Sequence, residues 1–193
     1  MIRKTMLASL LVASSFGAYA NDLSYSYIEA GVLDVDLDGI DADGFGLNLS
    51  AELGDIAFVR IGYGDIETDD RFSVFGFTDE ISLSEVSLGI GFHTPLANNV
   101  DLVGELSIGR QEVEFSVFED EETVKGASLG VRGKVNRFVE LNAGVGYSDV
   151  DDDSETSLGA GIRAYLNRDI SLALNYATGD DVDVTTLSAR FNF

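Results

Sequence analysis

The sequence predicts an all-β protein, a transmembrane antiparallel up-and-down β-barrel. Three observations predict this fold. Side-chain polarity alternates with period 2 over most of the chain, one of the two resulting faces carries no charge, and short turns alternate with longer loops. We assign ten strands. Eight is the alternative if a pair of segments, such as 23–33 and 43–53, is wrongly assigned.

The first twenty residues have the form of a signal peptide. Arg3 and Lys4 supply a positive start, residues 6–13 are an apolar stretch too short to span a bilayer, and Ala18-Tyr19-Ala20 fits a cleavage site. We therefore expect 1–20 to be a signal peptide that is cleaved after Sec-type export, and 21–193 to be one outer-membrane β-barrel domain. Losing Arg3 and Lys4 would change the net charge from −22 to −24.

Composition excludes several classes of protein. The chain has no cysteine, so no disulfide contributes to the fold, and no stretch after the signal peptide approaches the 18 apolar residues of a transmembrane helix. A net charge of −22 repels nucleic acid. We expect no nucleic-acid partner.

Ten alternating segments follow the signal peptide, and each has an apolar face that no charge interrupts. A lipid-facing wall requires this, because one Arg or Lys at mid-depth costs about 2–4 kcal/mol. The segments are 23–33, 43–53, 56–65, 82–93, 100–111, 124–135, 138–148, 156–167, 170–178 and 183–193. In the same order, their apolar faces include Ile28 and Val32; Leu47 and Leu49; Val59 and Ile61; Leu88 and Ile90; Leu106 and Ile108; Leu129 and Val131; Leu141 and Val145; Leu158 and Ile162; Leu172 and Leu174; and Leu187 and Phe191.

The opposite face is rich in glycine, serine and asparagine. A narrow barrel interior favours glycine, because side chains compete there for space. A soluble barrel or sandwich, which is the alternative, would turn the apolar face inward and has little reason to place strand-weakening glycine toward water.

The connections differ between the two ends of the strands. Tight turns lie at 54–55, 136–137 and 167–169, and the connection at 93–99 at the same end is somewhat longer. The acidic loops span 34–42, 66–81, 112–123, 149–155 and the shorter 179–182. Transmembrane barrels have short turns on the periplasmic side and longer loops outside. We therefore expect both termini in the periplasm and a strongly anionic outer surface.

The polar face also carries isolated acids and bases in equal number. Charges confined inside a barrel are tolerable only when they are paired and hydrogen-bonded, so we predict an ion-pair network across the interior. A pore lined with mixed charges is the alternative, although about ten strands enclose a largely filled space and open channels need around sixteen. The predicted network comprises Glu29, Glu52, Arg60, Glu85, Glu105, Arg132, Lys134, Glu140, Arg163 and Arg190.

One acidic loop begins like a calcium-binding EF-hand. Asp34, Asp36, Asp38 and Gly39 match its first positions, but Phe45 stands where the bidentate Glu is required, so the motif fails. We expect a solvated acidic loop and no cofactor. Looser Ca²⁺ binding is the alternative, either along 149–153 or at Asp34, Asp36, Asp38, Asp41 and Asp43.

Nothing in the sequence supports catalysis. The single histidine, His93, falls at the periplasmic end of a strand with no predicted nucleophile or acid beside it, and without a base the many serines and carboxylates have no specific meaning. We predict that the protein is not an enzyme. Two aromatic segments in the acidic loops, 74–77 and 115–118, either extend strands or form an exposed contact site.

The end of the chain resembles a known targeting signal. Leu187, Ala189, Phe191 and Phe193 alternate up to a final phenylalanine, like the signal read by the barrel-assembly machinery of outer membranes. That machinery is therefore an expected partner during biogenesis.

Further segments are similar to the small outer-membrane proteins known as sulfation-dependent quorum factors. They are 23–31, the acidic run 34–39, Gly89-Ile90-Gly91-Phe92-His93 and the loop 147–153. The resemblance implies a porin-like barrel in the outer membrane and its vesicles.

Together these features predict a protein of the outer membrane of a Gram-negative bacterium, surrounded by membrane lipid and monomeric. The leading function is a non-enzymatic surface or envelope-structural protein with strongly acidic extracellular loops. A narrow porin-like passive channel for small solutes is the alternative, and a surface adhesin or signalling-associated protein is the third.

Overall fold

Ten antiparallel strands close into a barrel in the computed structural model. The structure describes residues 24–37, 39–68, 72–74, 77–79, 81–115, 118–150, 153–180 and 182–193, so the predicted signal peptide lies outside the described residues. The strands are β1 (Tyr27–Leu37), β2 (Asp41–Glu52), β3 (Ala57–Thr68), β4 (Phe72–Val74), β5 (Phe77–Asp79), β6 (Ser82–Ala97), β7 (Val100–Phe115), β8 (Phe118–Asn136), β9 (Val139–Val150), β10 (Asp153–Tyr165), β11 (Ile170–Thr178) and β12 (Val182–Asn192). The predicted ten-stranded barrel is confirmed, and the eight-stranded alternative is wrong.

The barrel has the simplest up-and-down order. Each strand pairs with its neighbour along the chain, except that β3 pairs with β6 because β4 and β5 form a separate two-stranded hairpin between them. β12 closes the barrel against β1, with Tyr27 opposite Asn192 and Leu37 opposite Val182. Closure leaves no unpaired strand edge in the wall. No helix in the described part of the chain is long and apolar enough to cross a membrane.

The outward face of the wall is apolar, as the alternation predicts. Leu88, Leu106, Leu129, Leu158 and Leu174 each expose half or more of their side-chain surface, which is unusual for leucine in a folded protein. Every barrel strand contributes to this band. A surface of this kind is stable only against hydrocarbon.

The apolar band ends abruptly on the side away from the termini. Along β1 the outward residues change from Val32 to Asp34, and along β3 from Tyr63 to Asp65. Aromatic rings mark the change, and the rings of Phe45 and Tyr63 lie 5.8 Å apart there. Aromatic girdles of this kind flank the lipid-facing band of transmembrane barrels. We call the outward-facing residues Phe45, Tyr63, Tyr147 and Tyr176 the aromatic girdle.

Beyond this boundary the two faces of the strands exchange polarity. The outward positions become acidic, and the inward positions form an apolar cluster that we call the outer-end cluster. Water now surrounds the wall, so burial of apolar side chains inside becomes favourable, as in a soluble barrel. The outer-end cluster comprises Leu33, Val35, Leu37, Ala42, Ile66, Leu83, Val182 and Val184, with Ile40 and Val113 packed against it.

This extension corrects the predicted loops. β7 runs to Phe115 and β8 starts at Phe118, so the acidic segment 112–123 is mostly a β-hairpin, and 34–37 and 41–42 are likewise strand. Two acids assigned to external loops, Glu122 and Glu155, instead lie inside the barrel and are almost fully buried. Acidic composition indicated loops, but along 34–37 and 112–115 the period-2 alternation continues with its faces exchanged.

Candidate functional site

The most unusual feature of the interior is a chain of alternating charges. Glu29 pairs with Arg190 and with Arg163, and its carboxylate lies 2.9 Å from the Arg163 guanidinium. Arg163 lies 4.0 Å from Glu140, and Glu140 in turn makes a two-pronged pair with Arg132. We call these five residues the central charge chain. All five are buried in the described structure, although they come from five different strands.

Strand register explains how the central charge chain assembles. Glu29 on β1 stands directly opposite Arg190 on β12, and Arg163 on β10 stands opposite Glu140 on β9. Cross-strand neighbours on one face have Cβ atoms about 4.5–5.5 Å apart, which suits an ion pair. The Arg163 guanidinium then reaches from β10 to Glu29 on β1, past the two strands between them.

Hydroxyl groups add hydrogen bonds to these charges. Ser188 donates to Glu29, and Tyr165 donates to Glu140 Oε2 at 2.6 Å. Ser171 accepts a hydrogen bond of 3.1 Å from Arg163. These hydroxyl residues were not predicted from the sequence. Their inward position on strands that also carry an inward arginine, β10 and β12, is the signal that could have found Tyr165 and Ser188.

A second ion pair crosses the strand that separates its partners. Arg60 on β3 pairs with Glu105 on β7, and β6 lies between them. Gly89 on β6 is directly opposite Arg60, and a side chain there would collide with the Glu105 carboxylate. The glycine therefore provides the space through which the two charges meet. The space that Gly89 leaves for the Glu105 carboxylate illustrates why a narrow interior favours glycine.

The other predicted lumen residues lie apart from these pairs. The Glu52 carboxylate accepts a 3.3 Å hydrogen bond from the backbone N–H of Tyr25. The Lys134 ammonium lies 4.7 Å from the centre of the Tyr165 ring. Glu85 is buried, and one of its carboxylate oxygens has no hydrogen-bond partner among the described residues.

Aromatic side chains pack the interior near the termini. Tyr25 is fully buried and stacks on Phe58, with ring centres 4.5 Å apart, and also contacts the His93 ring at 4.1 Å. Val103 completes this cluster. His93 also has a carboxylate beside it, contrary to the sequence expectation, since its Nδ1 is 3.8 Å from Asp101 Oδ2. The hairpin pairing of β6 with β7 brings the two residues together.

A small cavity lies between the central charge chain and the outer-end cluster. Its volume is about 40 Å³, and Glu29, Leu33, Asn48 and Ser188 are among the residues that line it. The ion pairs beside it can hold the wall together electrostatically.

The acidic residues considered for calcium are arranged along the outside of the wall. Asp34 is opposite Asp43 and Asp36 is opposite Asp41, all four exposed, while Asp38 lies outside the described residues. Within the described residues, no three acidic or histidine side chains are placed to hold a metal ion together.

The predicted assembly signal occupies the closing strand. Leu187, Phe191 and Phe193 point outward into the apolar band, and Ala189 lies between them on the same face. The Phe193 N–H donates a 3.0 Å hydrogen bond to the carbonyl of Ser26, which links the end of the closing strand to the residue before β1.

The side chains of the aromatic segments 74–77 and 115–118 lie outside the described residues. The backbones of Val74 and Phe77 pair across the β4–β5 hairpin.

Solved structures with the same fold are outer-membrane barrels. The translocator domain of the autotransporter NalP from Neisseria meningitidis matches with a TM-score of 0.51 at 11% identity, covering 96% of this chain and 94% of that one. The NanC porin matches with a TM-score of 0.56 at 8% identity, covering 86% and 100%. An outer-membrane channel from Pseudomonas putida F1 gives 0.55 at 11% identity, covering 92% and 98%. At these identities the likeness concerns the fold alone.

Sequence comparison places the chain in a family. No match was found among curated proteins. The family model described as outer membrane protein beta-barrel domain matches residues 6–193, nearly the whole chain. With its closed barrel and lipid-facing band, this chain belongs to the outer membrane protein beta-barrel domain family.

Proposed function

We propose that this outer-membrane barrel is a non-enzymatic surface and envelope-structural protein whose interior is closed to solutes. The observation that carries the proposal is the filling of the barrel at successive levels. The outer-end cluster lies inside it on β1, β2, β3, β6 and β12, the central charge chain and the Arg60–Glu105 pair occupy its middle, and aromatic rings pack near the termini.

The filled interior argues against the rival function, a narrow passive channel. A solute crossing the barrel would have to separate ion pairs that are buried and hydrogen-bonded, and breaking one such pair costs about 3–5 kcal/mol. It would also have to pass the apolar outer-end cluster, whose side chains offer a polar solute no hydrogen bonds.

The proposed role also fits the chemistry of the outer surface. Acidic side chains line the outside of the wall above the aromatic girdle, at Asp34, Asp36, Asp41, Asp43 and Asp183. We propose membrane lipid as the partner of the apolar band and the barrel-assembly machinery as the partner of β12 during biogenesis. We also propose a monomer without a cofactor, since the ten strands close the barrel within one chain. The resemblance to sulfation-dependent quorum factors would add a signalling role at this surface, which stays a prediction.

Planar-bilayer recording tests the proposal. We expect the purified protein to give no steady conductance above the lipid background, and Arg60→Ala to destabilise the barrel in detergent, because Glu105 would be left buried without its partner. Arg110→Ala is the matched control, since it removes an exposed arginine from the outer end. A steady conductance in the wild type, or one that Arg60→Ala increases without loss of stability, would establish the channel function instead.

A further inference from the structure

A large cavity opens at the end of the barrel that carries the short turns and both termini. Its volume is about 570 Å³, and Lys134, Arg137, Phe138, Tyr165, Asn167 and Arg168 line it. By the rule that short turns are periplasmic, this cavity faces the periplasm. We call it the periplasmic cleft. Its volume is within the range of about 300–1,000 Å³ that small-molecule sites occupy.

The charge of the periplasmic cleft is opposite to that of the chain. The protein carries 34 acidic residues and only 12 basic ones, yet three bases and no acid line this cavity. Asp169 follows Arg168 in the sequence but is not among the lining residues. Within the described structure, neither Arg137 nor Arg168 has a carboxylate at ion-pair distance, whereas the interior arginines are paired with glutamates. These two guanidinium groups are therefore available to an external anion.

The two turns that form the cleft are held in place from within. In one, the Asn136 side chain accepts a 2.8 Å hydrogen bond from the N–H of Phe138, and in the other the Asn167 side chain accepts one of 2.8 Å from the N–H of Asp169. A 2.8 Å backbone hydrogen bond from Tyr165 to Phe138 joins the two turns. Side-chain-capped turns restrict the backbone, so the cations are presented on a rigid frame.

Aromatic rings supply the walls. The Arg137 guanidinium lies 4.5 Å from the centre of the Phe138 ring, and the Lys134 ammonium 4.7 Å from that of Tyr165. Contact with the Phe138 ring orients the Arg137 guanidinium, whose in-plane N–H groups can still donate to an anion. The rings also offer an apolar surface to the rest of a ligand.

From these features we propose that the periplasmic cleft binds a phosphate-bearing ligand through Arg137 and Arg168. Arginine presents a planar fork of donors that matches phosphate oxygens. A phosphate monoester carries about −1.5 to −2 charges at neutral pH, and the diester of a phospholipid headgroup is also anionic, so either suits the guanidinium groups of Arg137 and Arg168. The cavity is larger than the anion, so the ligand has an organic part that lies against Phe138 and Tyr165. Its source is either a soluble phosphate ester or the headgroup of a phospholipid in the inner leaflet.

The test compares two double variants with the same change of charge. Arg137→Gln with Arg168→Gln removes two bases from the cleft, and Arg110→Gln with Lys125→Gln removes two exposed bases from the outer end. Each full-length protein is refolded in a neutral detergent, checked for folding by heat-modifiable migration, and titrated with phenyl phosphate in a calorimeter. We expect the wild type and the outer-end variant to bind equally and the cleft variant at least about tenfold more weakly.

A second arm separates the two sources of phosphate. The same three proteins are placed in nanodiscs of phosphatidylcholine with and without phosphatidylglycerol, and the retained lipid is measured by mass spectrometry after extraction into detergent. Retention of phosphatidylglycerol that only the cleft variant loses assigns the site to a lipid headgroup, and a response in the calorimeter alone assigns it to a soluble ester. Equal affinity and equal lipid retention in all three proteins would overturn the proposal.

Discussion

Glu29 is the residue on which the interior depends most. Its carboxylate serves Arg163 and Arg190 together and also accepts a hydrogen bond from Ser188. The Arg190 guanidinium in addition lies over the Tyr27 ring, 3.6 Å from its centre. A single acid thus pairs with two buried bases and joins β1, β10 and β12 across the seam where the barrel closes.

Replacing this acid should be costly. Glu29→Gln would leave the Arg190 guanidinium buried without a counter-charge and Arg163 with Glu140 alone, and we expect a loss of about 3–5 kcal/mol in the free energy of unfolding. The measurement is urea-induced unfolding in lipid vesicles, followed by tyrosine fluorescence. Asp34→Asn is the matched control, because it makes the same change of charge on the same strand at an exposed position. Equal unfolding midpoints for the two variants would show that the central charge chain does not stabilise the barrel.

At the scale of strands, the exchange of faces along β1 is the instructive feature. Within the apolar band Glu29 points inward and Val32 points outward. Beyond the aromatic girdle Val35 points inward and Asp36 points outward. The backbone is the same regular strand throughout. What changes is the medium outside the wall, from hydrocarbon to water, and the sequence changes with it.

The outer-end cluster should therefore behave as a small soluble core. Val35→Asn places an amide in this apolar cluster, and we expect a loss of about 2–4 kcal/mol, confined to the outer parts of β1, β2 and β12. Hydrogen–deuterium exchange of the folded protein measures this directly. We expect faster exchange at the outer end and unchanged exchange within the apolar band. Asp36→Asn, one residue away on the outward face, should change nothing. Similar exchange in both variants would mean that the cluster contributes no local stability.

The strands could be predicted from the sequence, but their full length could not. Alternation of polarity requires only the local sequence, so all ten barrel segments were found. The strand character of 112–115 and 118–123 was missed because their acidity is typical of loops, and with it the inward position of Glu122. Individual ion pairs such as Glu29 with Arg163 depend on the register of several strands around a closed barrel, which no local pattern contains.

At the scale of the whole molecule, the barrel has two chemically different ends. The outer end is acidic on its outside and apolar within, and the end with the short turns carries the basic periplasmic cleft. Between them lies the apolar band, on which the whole account depends. If that band did not face lipid, the interior charges, the boundary at the aromatic girdle and the assignment of the two ends would all lose their explanation.

Depth-resolved quenching of a fluorescent label tests the orientation of the apolar band most directly. The chain has no cysteine, so single replacements can be labelled with bimane without background. In vesicles whose acyl chains carry bromine, we expect strong quenching at Leu88→Cys, Leu129→Cys and Leu174→Cys, and none at Asp36→Cys or Asp183→Cys beyond the girdle. Labels at the three leucine positions that stay as bright as those at the two aspartates would contradict the account.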